Sequence, residues 1–189
     1  MKRIFLIIFI TVAWMTKLQA QLVVANTELT SDALMAPNVG IEIVTGNLSS
    51  VGLNVLYSPG IMGKEAKITA IQPEYRYWFS GRPIHQWFVG LGGIGVLFDV
   101  KRHGKVYDGY GFGLGLTFGY VWNLNIGKEK RLSLDFHGGF GGIFYNRKEY
   151  FKTDNYDIDY TTDGSVQANA KGYYLLPTRI GISISYILK

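Results

Sequence analysis

The sequence predicts an all-β protein: one eight-stranded antiparallel up-and-down transmembrane β-barrel, residues 21–189, preceded by a signal peptide, residues 1–20. Three observations carry that prediction. The stretch GYGFGLGLTFGYVW, residues 109–122, places Tyr110, Phe112, Leu114, Leu116, Phe118, Tyr120 and Trp122 on every second position, with mostly glycine between them. The chain opens on two basic residues and a short apolar run. The remainder of the chain divides into alternating segments separated by turn residues.

Alternation sends successive side chains to opposite faces of a strand, so residues 109–122 carry one apolar face and one nearly bare face. The apolar face is roughly 40 Å long at about 3.3 Å per residue. Tilted by about 45°, it covers about 28 Å along a barrel axis, close to the hydrocarbon thickness of a bilayer. Aromatic residues at its ends and Leu114 and Leu116 at its centre repeat the order interface, hydrocarbon, interface.

At the N-terminus Lys2 and Arg3 precede an eleven-residue apolar run, Ile4 to Trp14, and Ala20 offers a small residue for cleavage before Gln21. The run is too short to span a bilayer, which fits a secretory signal. Its removal takes away Lys2, Arg3 and Lys17 and lowers the formal charge from +5 to +2. A charge so small gives no reason to expect a nucleic-acid partner. The absence of cysteine excludes disulfides, thiolate metal sites, a cysteine nucleophile and a lipoprotein's acylated cysteine. Aromatic residues make up 15% and charged residues only 17%, the latter below the soluble average of about 25%.

Eight alternating segments lie near residues 22–29, 38–45, 49–57, 67–79, 86–98, 108–122, 131–145 and 175–188, the first with the weakest pattern. With both termini on the periplasmic side, the external links are residues 30–37, 58–66, 99–107 and 146–174, and the periplasmic ones 46–48, 80–85 and 123–130. Long external and short periplasmic connections in alternation suit a bacterial outer-membrane barrel, of which eight strands is the smallest common size.

One face of each strand is nearly free of charge: Val39, Ile41 and Ile43; Val51, Leu53 and Val55; Tyr75 and Tyr77; Leu134, Phe136 and Phe140; Ile180, Ile182 and Ile184. These positions are expected to meet lipid. The opposite faces carry Glu42, Asn54, Gln72, Glu74, Arg76, Ser133, Asp135, His137, Arg179, Ser183 and Ser185 among many glycines, which suits the cramped lumen of a small barrel. Two places break the pattern. The apolar phase shifts between Leu91 and Ile94, Val96 and Phe98, which implies a β-bulge at Gly92 and Gly93. Pro73 requires a bulge or a missing ladder bond.

The chemical candidates are few. GLGGIG, residues 90–95, matches a dinucleotide fingerprint in letters only, since more strand comes where a phosphate-binding helix should begin. His85, His103 and His137 lack metal-ligand spacing, and no cofactor is expected. Ser133, Asp135 and His137 share one strand face and are the residue types of a hydrolase triad. They stand parallel, about 6.6 Å apart at successive positions, in the half of the barrel away from the outer leaflet. The simpler reading is a structural lumen network of Glu42, Glu74, Arg76, Asp135, His137 and Arg179, because charges in a low-dielectric interior must pair or be hydrated. Glu74 and Arg76, two residues apart on one face, are not expected to point at each other, and Glu42 and Arg179 are the expected partners.

The runs ALMAPNVGIEI (33–43), PEYRYWF (73–79), VGLGGIGVLFDV (89–100), GYGFGLGLTFGYVWNLN (109–125), RLSLDFHGGFG (131–141) and LPTRIGISISYIL (176–188) resemble an uncharacterised family of Bacteroidota outer-membrane β-barrel proteins, a domain-of-unknown-function family. The resemblance covers nearly all of the mature chain. It implies an eight-stranded outer-membrane barrel and supplies no catalytic residues. The C-terminal Tyr186, Ile187, Leu188 and Lys189 depart from the terminal aromatic residue common in barrels delivered to the outer-membrane assembly machinery.

The leading functional expectation is a non-enzymatic, monomeric barrel of a Gram-negative outer membrane. Its lumen is closed, and its external loops, including Lys101, Arg102, His103 and Lys105, contact envelope polymer or a protein partner. Outer-membrane lipid and the barrel assembly machinery are its other expected partners. The alternatives are a narrow transporter or small-ligand binder, which needs a continuous lumen past Arg76 and Glu74, and a lipid A-modifying hydrolase, which needs an open pocket at Ser133 and His137.

Overall fold

The computed structural model describes residues 22–60, 65–124, 126, 131–151 and 170–188. The signal peptide expected over residues 1–20 lies outside them, as does most of the long external link. The described chain is all-β apart from one helical turn: β1 (Val23–Glu28), α1 (Leu29–Ala33), β2 (Asn38–Val44), β3 (Ser49–Ser58), β4 (Ala66–Trp78), β5 (Gln86–Arg102), β6 (Lys105–Leu124), β7 (Leu132–Phe151) and β8 (Ala170–Ile187). Each strand pairs antiparallel with the next, and β1 closes on β8 through pairs such as Ala25 with Tyr186, so the sheet forms a closed ring. Closure removes the exposed edges that an open sheet would present.

The strands are not equal. β1 and β2 span 6 and 7 residues, whereas β6 and β7 span 20 each. At about 3.3 Å per residue the long strands reach roughly 66 Å, so β5 to β8 rise as a tall wall at the end opposite the termini. This corrects the expected nine-residue link at 99–107. β5 and β6 stay paired up to Arg102 and Lys105, and the connection is the two-residue turn His103–Gly104, both residues at positive φ (50° and 77°), as in a type I′ hairpin. The charges of Lys101, Arg102 and Lys105 ended the apolar alternation without ending the strand.

The alternation holds through β5. Its register against β6 is continuous, Leu91 with Leu116, Gly93 with Leu114 and Gly95 with Phe112, so the bulge expected at Gly92 and Gly93 is absent. Gly93 and Gly95 occupy the exterior phase, and Ile94, Val96 and Phe98 turn inward; a Cβ on the inward Gly111 would lie 3.2 Å from Val96 Cγ1. Pro73 takes the other expected course. Gln72 and Pro73 drop out of the β4–β5 pairing, which resumes in the same register at Glu74, because proline has no N–H to donate. The register shift lies elsewhere: Gly139 faces Arg179 and Phe140 faces Pro177, leaving Thr178 as an extra residue in β8 beside a second strand proline.

The two faces are inverted relative to a soluble barrel. Outside stand Leu53, Tyr75, Phe112, Leu114, Leu116, Phe118, Phe140 and Ile180, all substantially exposed. Inside, Glu42, Glu74, Arg76, Asp135 and His137 are each no more than 6% exposed. Polar burial of that extent requires partners.

Candidate functional site: the lumen

The lumen is layered. At the end that carries the termini, Val24, Trp78, Ile84, Phe88 and Val121 pack into an apolar cluster, with Leu22, Val44 and Ile187 against it. The Trp78 and Phe88 rings lie 5.0 Å apart. Trp78 sits between the outward Tyr77 and Phe79, so three consecutive aromatic residues serve opposite faces, as strand alternation requires.

Above the cluster lies the ionic layer. Arg76 Nη1 lies 2.7 Å from Asp135 Oδ2 and 3.2 Å from Glu42 Oε2, and its Nε donates to Glu74 Oε2 at 2.9 Å. Arg179 Nη1 meets the same Glu74 oxygen at 2.7 Å. Glu42 and Arg179 thus stand where expected, but the direct Arg76–Glu74 pair corrects the expectation that neighbours two apart cannot meet. The arginine stem is long enough to fold its guanidinium back along the strand. Around these pairs Ser50 Oγ donates to Glu42 Oε1, Trp78 Nε1 to Ser50 Oγ at 2.8 Å, and Thr117 Oγ1 to Glu74 Oε1. The Arg76 guanidinium also lies 4.3 Å from the centroid of the Phe88 ring, a cation–π contact.

His137 joins the layer to β1. Its Nε2 is 3.2 Å from Glu28 Oε1, and its Nδ1 is 3.5 Å from Asp135 Oδ1, an ion-pair separation without hydrogen-bond alignment. With Glu28 on β1, Glu42 on β2, Ser50 on β3, Glu74 and Arg76 on β4, Phe88 on β5, Thr117 on β6, Asp135 and His137 on β7 and Arg179 on β8, all eight walls contribute to one layer. Sequence reasoning missed Glu28, Ser50, Thr117 and the aromatic pair. Glu28 shares the phase of Val24 and Asn26, a signal hidden by the brevity of β1; Ser50 and Thr117 lie in the inward phases of their strands.

The glycines are the space this network occupies. A Cβ at Gly181 would overlap Glu28 Oε1, one at Gly40 would overlap Asn26 Oδ1, and one at Gly90 would lie 2.5 Å from Thr117 Oγ1 and 3.3 Å from Glu74 Oε1. Two voids of about 10 Å³ each flank Glu74 and Arg179, one by Pro73 and Thr178, the other by Asn54 and Arg76. Each has room for about one water.

The triad residues are not assembled as a triad. Ser133 Oγ is fully buried and has no hydrogen-bond partner among the described residues, while both His137 nitrogens face carboxylates. The other histidines are dispersed, His85 against Asn123 near the termini and His103 in the β5–β6 turn. No group of three or more His, Cys, Asp or Glu among the described residues is arranged to hold a metal. GLGGIG lies in the middle of β5, with no helix after it.

Neither the curated proteins nor the solved structures hold a significant match to the chain. A family model matches residues 5–188, nearly the whole sequence and every strand of the barrel. The chain belongs to the family described as "Protein of unknown function (DUF3575)".

Proposed function

We propose that the protein is an outer-membrane barrel of a Gram-negative bacterium, most consistent with Bacteroidota, that serves the cell envelope as a structural or surface-interaction protein without catalysis or conduction. One observation carries the reading: large apolar side chains cover the exterior while an ion-pair layer joined to all eight strands fills the interior. Such a surface is suited to hydrocarbon, and such a core leaves ions no continuous path. The exterior of β6 supports the membrane assignment, with Tyr110 and Trp122 at the ends and Leu114 and Leu116 between, as in aromatic girdles flanking an apolar band. Outer-membrane lipid and the assembly machinery are the partners this entails, and the molecule acts as a monomer. The tall β5–β8 wall is the part that reaches beyond the membrane to envelope polymer or a protein.

A second reading, a small-ligand binder, draws on one feature. At the mouth a recess of about 300 Å³ is lined by Phe98, Val100, Arg102, Tyr107 and Arg147, with the Arg147 guanidinium over the Tyr107 ring at 5.1 Å. Nothing comparable favours hydrolysis, since Ser133 has no base within hydrogen-bond reach among the described residues.

Membrane fractionation and planar-bilayer recording test the main reading together. The protein is expected in outer membranes, migrating faster on gels unheated than boiled, with no steady conductance. Recovery as a soluble periplasmic monomer would remove the membrane assignment, and a stable selective current would replace the closed lumen with a transporter.

A further inference from the structure

The charges of the ionic layer do not balance. Glu28, Glu42, Glu74 and Asp135 bring four carboxylates inward, each no more than 5% exposed, against the guanidiniums of Arg76 and Arg179. His137, between Glu28 and Asp135, supplies at most one further charge. At least one negative charge is left over in a low-dielectric interior, where it needs a counter-charge. The contacts place it on Glu42. Both arginines hold Glu74, Arg76 and His137 both face Asp135, and His137 faces Glu28, whereas Glu42 has only a share of Arg76, at 3.2 Å.

A row of amides stands beside Glu42 on the side away from the termini. The ladder runs from Asn26 on β1 through Gly40 on β2 to Asn54 on β3 and Gln72 on β4. Gly40 leaves the gap between the two asparagines, since a Cβ there would overlap Asn26 Oδ1. Neighbouring bonds orient Asn54. The Asn38 amide is fixed by the Glu28 backbone, accepting from its N–H at 2.8 Å and donating to its carbonyl at 3.0 Å, so Asn38 Oδ1 accepts from Asn54 Nδ2 at 3.3 Å. Asn54 Oδ1 is thereby turned away from Asn38. It has no hydrogen-bond partner among the described residues, although Asn54 is only 4% exposed, and neither has Asn26 Oδ1. Asn26, Asn54 and Glu42 line the same void of about 10 Å³. Gln72 Oε1 and Arg179 Nε also lack partners, but both residues border the second void beside Pro73, where one water can serve the two.

We propose that the void between Asn26, Asn54 and Glu42 holds one alkali-metal cation, sodium or potassium. Amide oxygens replace an ion's hydration without adding charge, and each Glu42 oxygen keeps a lone pair after its bond to Ser50 or Arg76. Water in the same place meets the two amides but not the charge. A proton on Glu42 meets the charge but reaches one amide at most. A monovalent cation answers both, and the guanidiniums of Arg76 and Arg179 on the wall of the same void disfavour a divalent one. The site requires the closed ring alone and is independent of membrane placement.

The test is urea unfolding of the full mature chain in detergent at neutral pH, in sodium or potassium chloride against choline chloride at equal ionic strength. Choline is too large for the void. Above the dissociation constant, the unfolding equilibrium constant is expected to fall about tenfold for each tenfold rise in sodium or potassium, the slope of a single ion bound only by the folded state. Choline is expected to give no such slope, and Glu42→Gln is expected to lose it. Heat-dependent gel migration reports whether each variant folds; if Glu42→Gln does not, Asn54→Leu, which removes the amide oxygen at nearly constant volume, replaces it and must lose the slope likewise. No slope with either alkali cation overturns the site in favour of a proton on Glu42 with water beside it. A slope shared by choline reduces the effect to ionic strength, and one that survives the variant places the ion elsewhere; each overturns the site.

Discussion

The Arg76 guanidinium crosses the lumen to Asp135, Nη1 to Oδ2 at 2.7 Å, and so ties β4 to β7, two strands that share no ladder. The same group holds Glu42 and Glu74. One cation therefore contacts carboxylates from three strands, which makes it the position whose loss the interior can least absorb.

Arg76→Ala should accordingly destabilise the barrel by about 3–5 kcal/mol, the cost of leaving buried charges uncompensated. Urea unfolding in detergent, followed by heat-dependent gel migration, measures it. Little change in stability would mean that water fills the layer, and the lumen would then be a conduit.

Ser133→Ala tests the catalytic alternative in the opposite direction. The Ser133 hydroxyl is buried without a hydrogen-bond partner among the described residues, so its removal is expected to leave stability unchanged or raise it by up to about 1 kcal/mol. Release of acyl chains from lipid vesicles should be absent from both proteins. Release that depends on Ser133 would make the protein an enzyme.

Much of this architecture was legible because the exterior is apolar and strands alternate. Residues 109–122 gave the phase of β6, and Glu42, Glu74, Arg76, Asp135 and Arg179 fell inside by parity. Legibility ended where that constraint ended. Beyond the apolar band Lys101, Arg102 and Lys105 are free to be charged, so hydropathy could not mark the ends of β5 and β6, although a glycine after His103 was a hairpin signal. Ile94, Val96 and Phe98 looked like a phase shift because the upper lumen is itself apolar, a fact about the opposite walls rather than about β5. The extra Thr178 and the Arg76–Glu74 pair were illegible for a related reason. Register shifts and side-chain reach depend on neighbours that the strand's own sequence does not contain.

Gly141 and Gly142 allow a test of lumen packing within two adjacent residues. A Cβ at Gly141 would overlap the backbone at Leu114 and Gly115, whereas one at Gly142 would meet only Leu175 Cδ2 at 3.8 Å. Gly141→Ala should cost about 1–3 kcal/mol as overpacking, and Gly142→Ala should lie within about 0.5 kcal/mol of the parent. Parallel urea titrations decide it; equal effects would show that β6 and β7 separate easily at this level.

The exterior of β6 offers the sharpest separation between a membrane protein and a soluble barrel, because depth along one strand is the only variable. Leu116 is 65% exposed and lies near the middle of the apolar band, while Tyr110 and Trp122 are 50% and 58% exposed at its ends. In water an exposed position accepts arginine at little cost wherever it lies on the strand. In a bilayer the cost depends on depth: Leu116→Arg should destabilise by about 2–4 kcal/mol, and Tyr110→Arg or Trp122→Arg by about 0–1 kcal/mol. Folding equilibria in lipid vesicles give the three values under one condition. A depth gradient in vesicles that disappears in detergent would locate its cause in the hydrocarbon, and uniformly small costs in both would argue that the apolar face is covered by another protein instead of lipid.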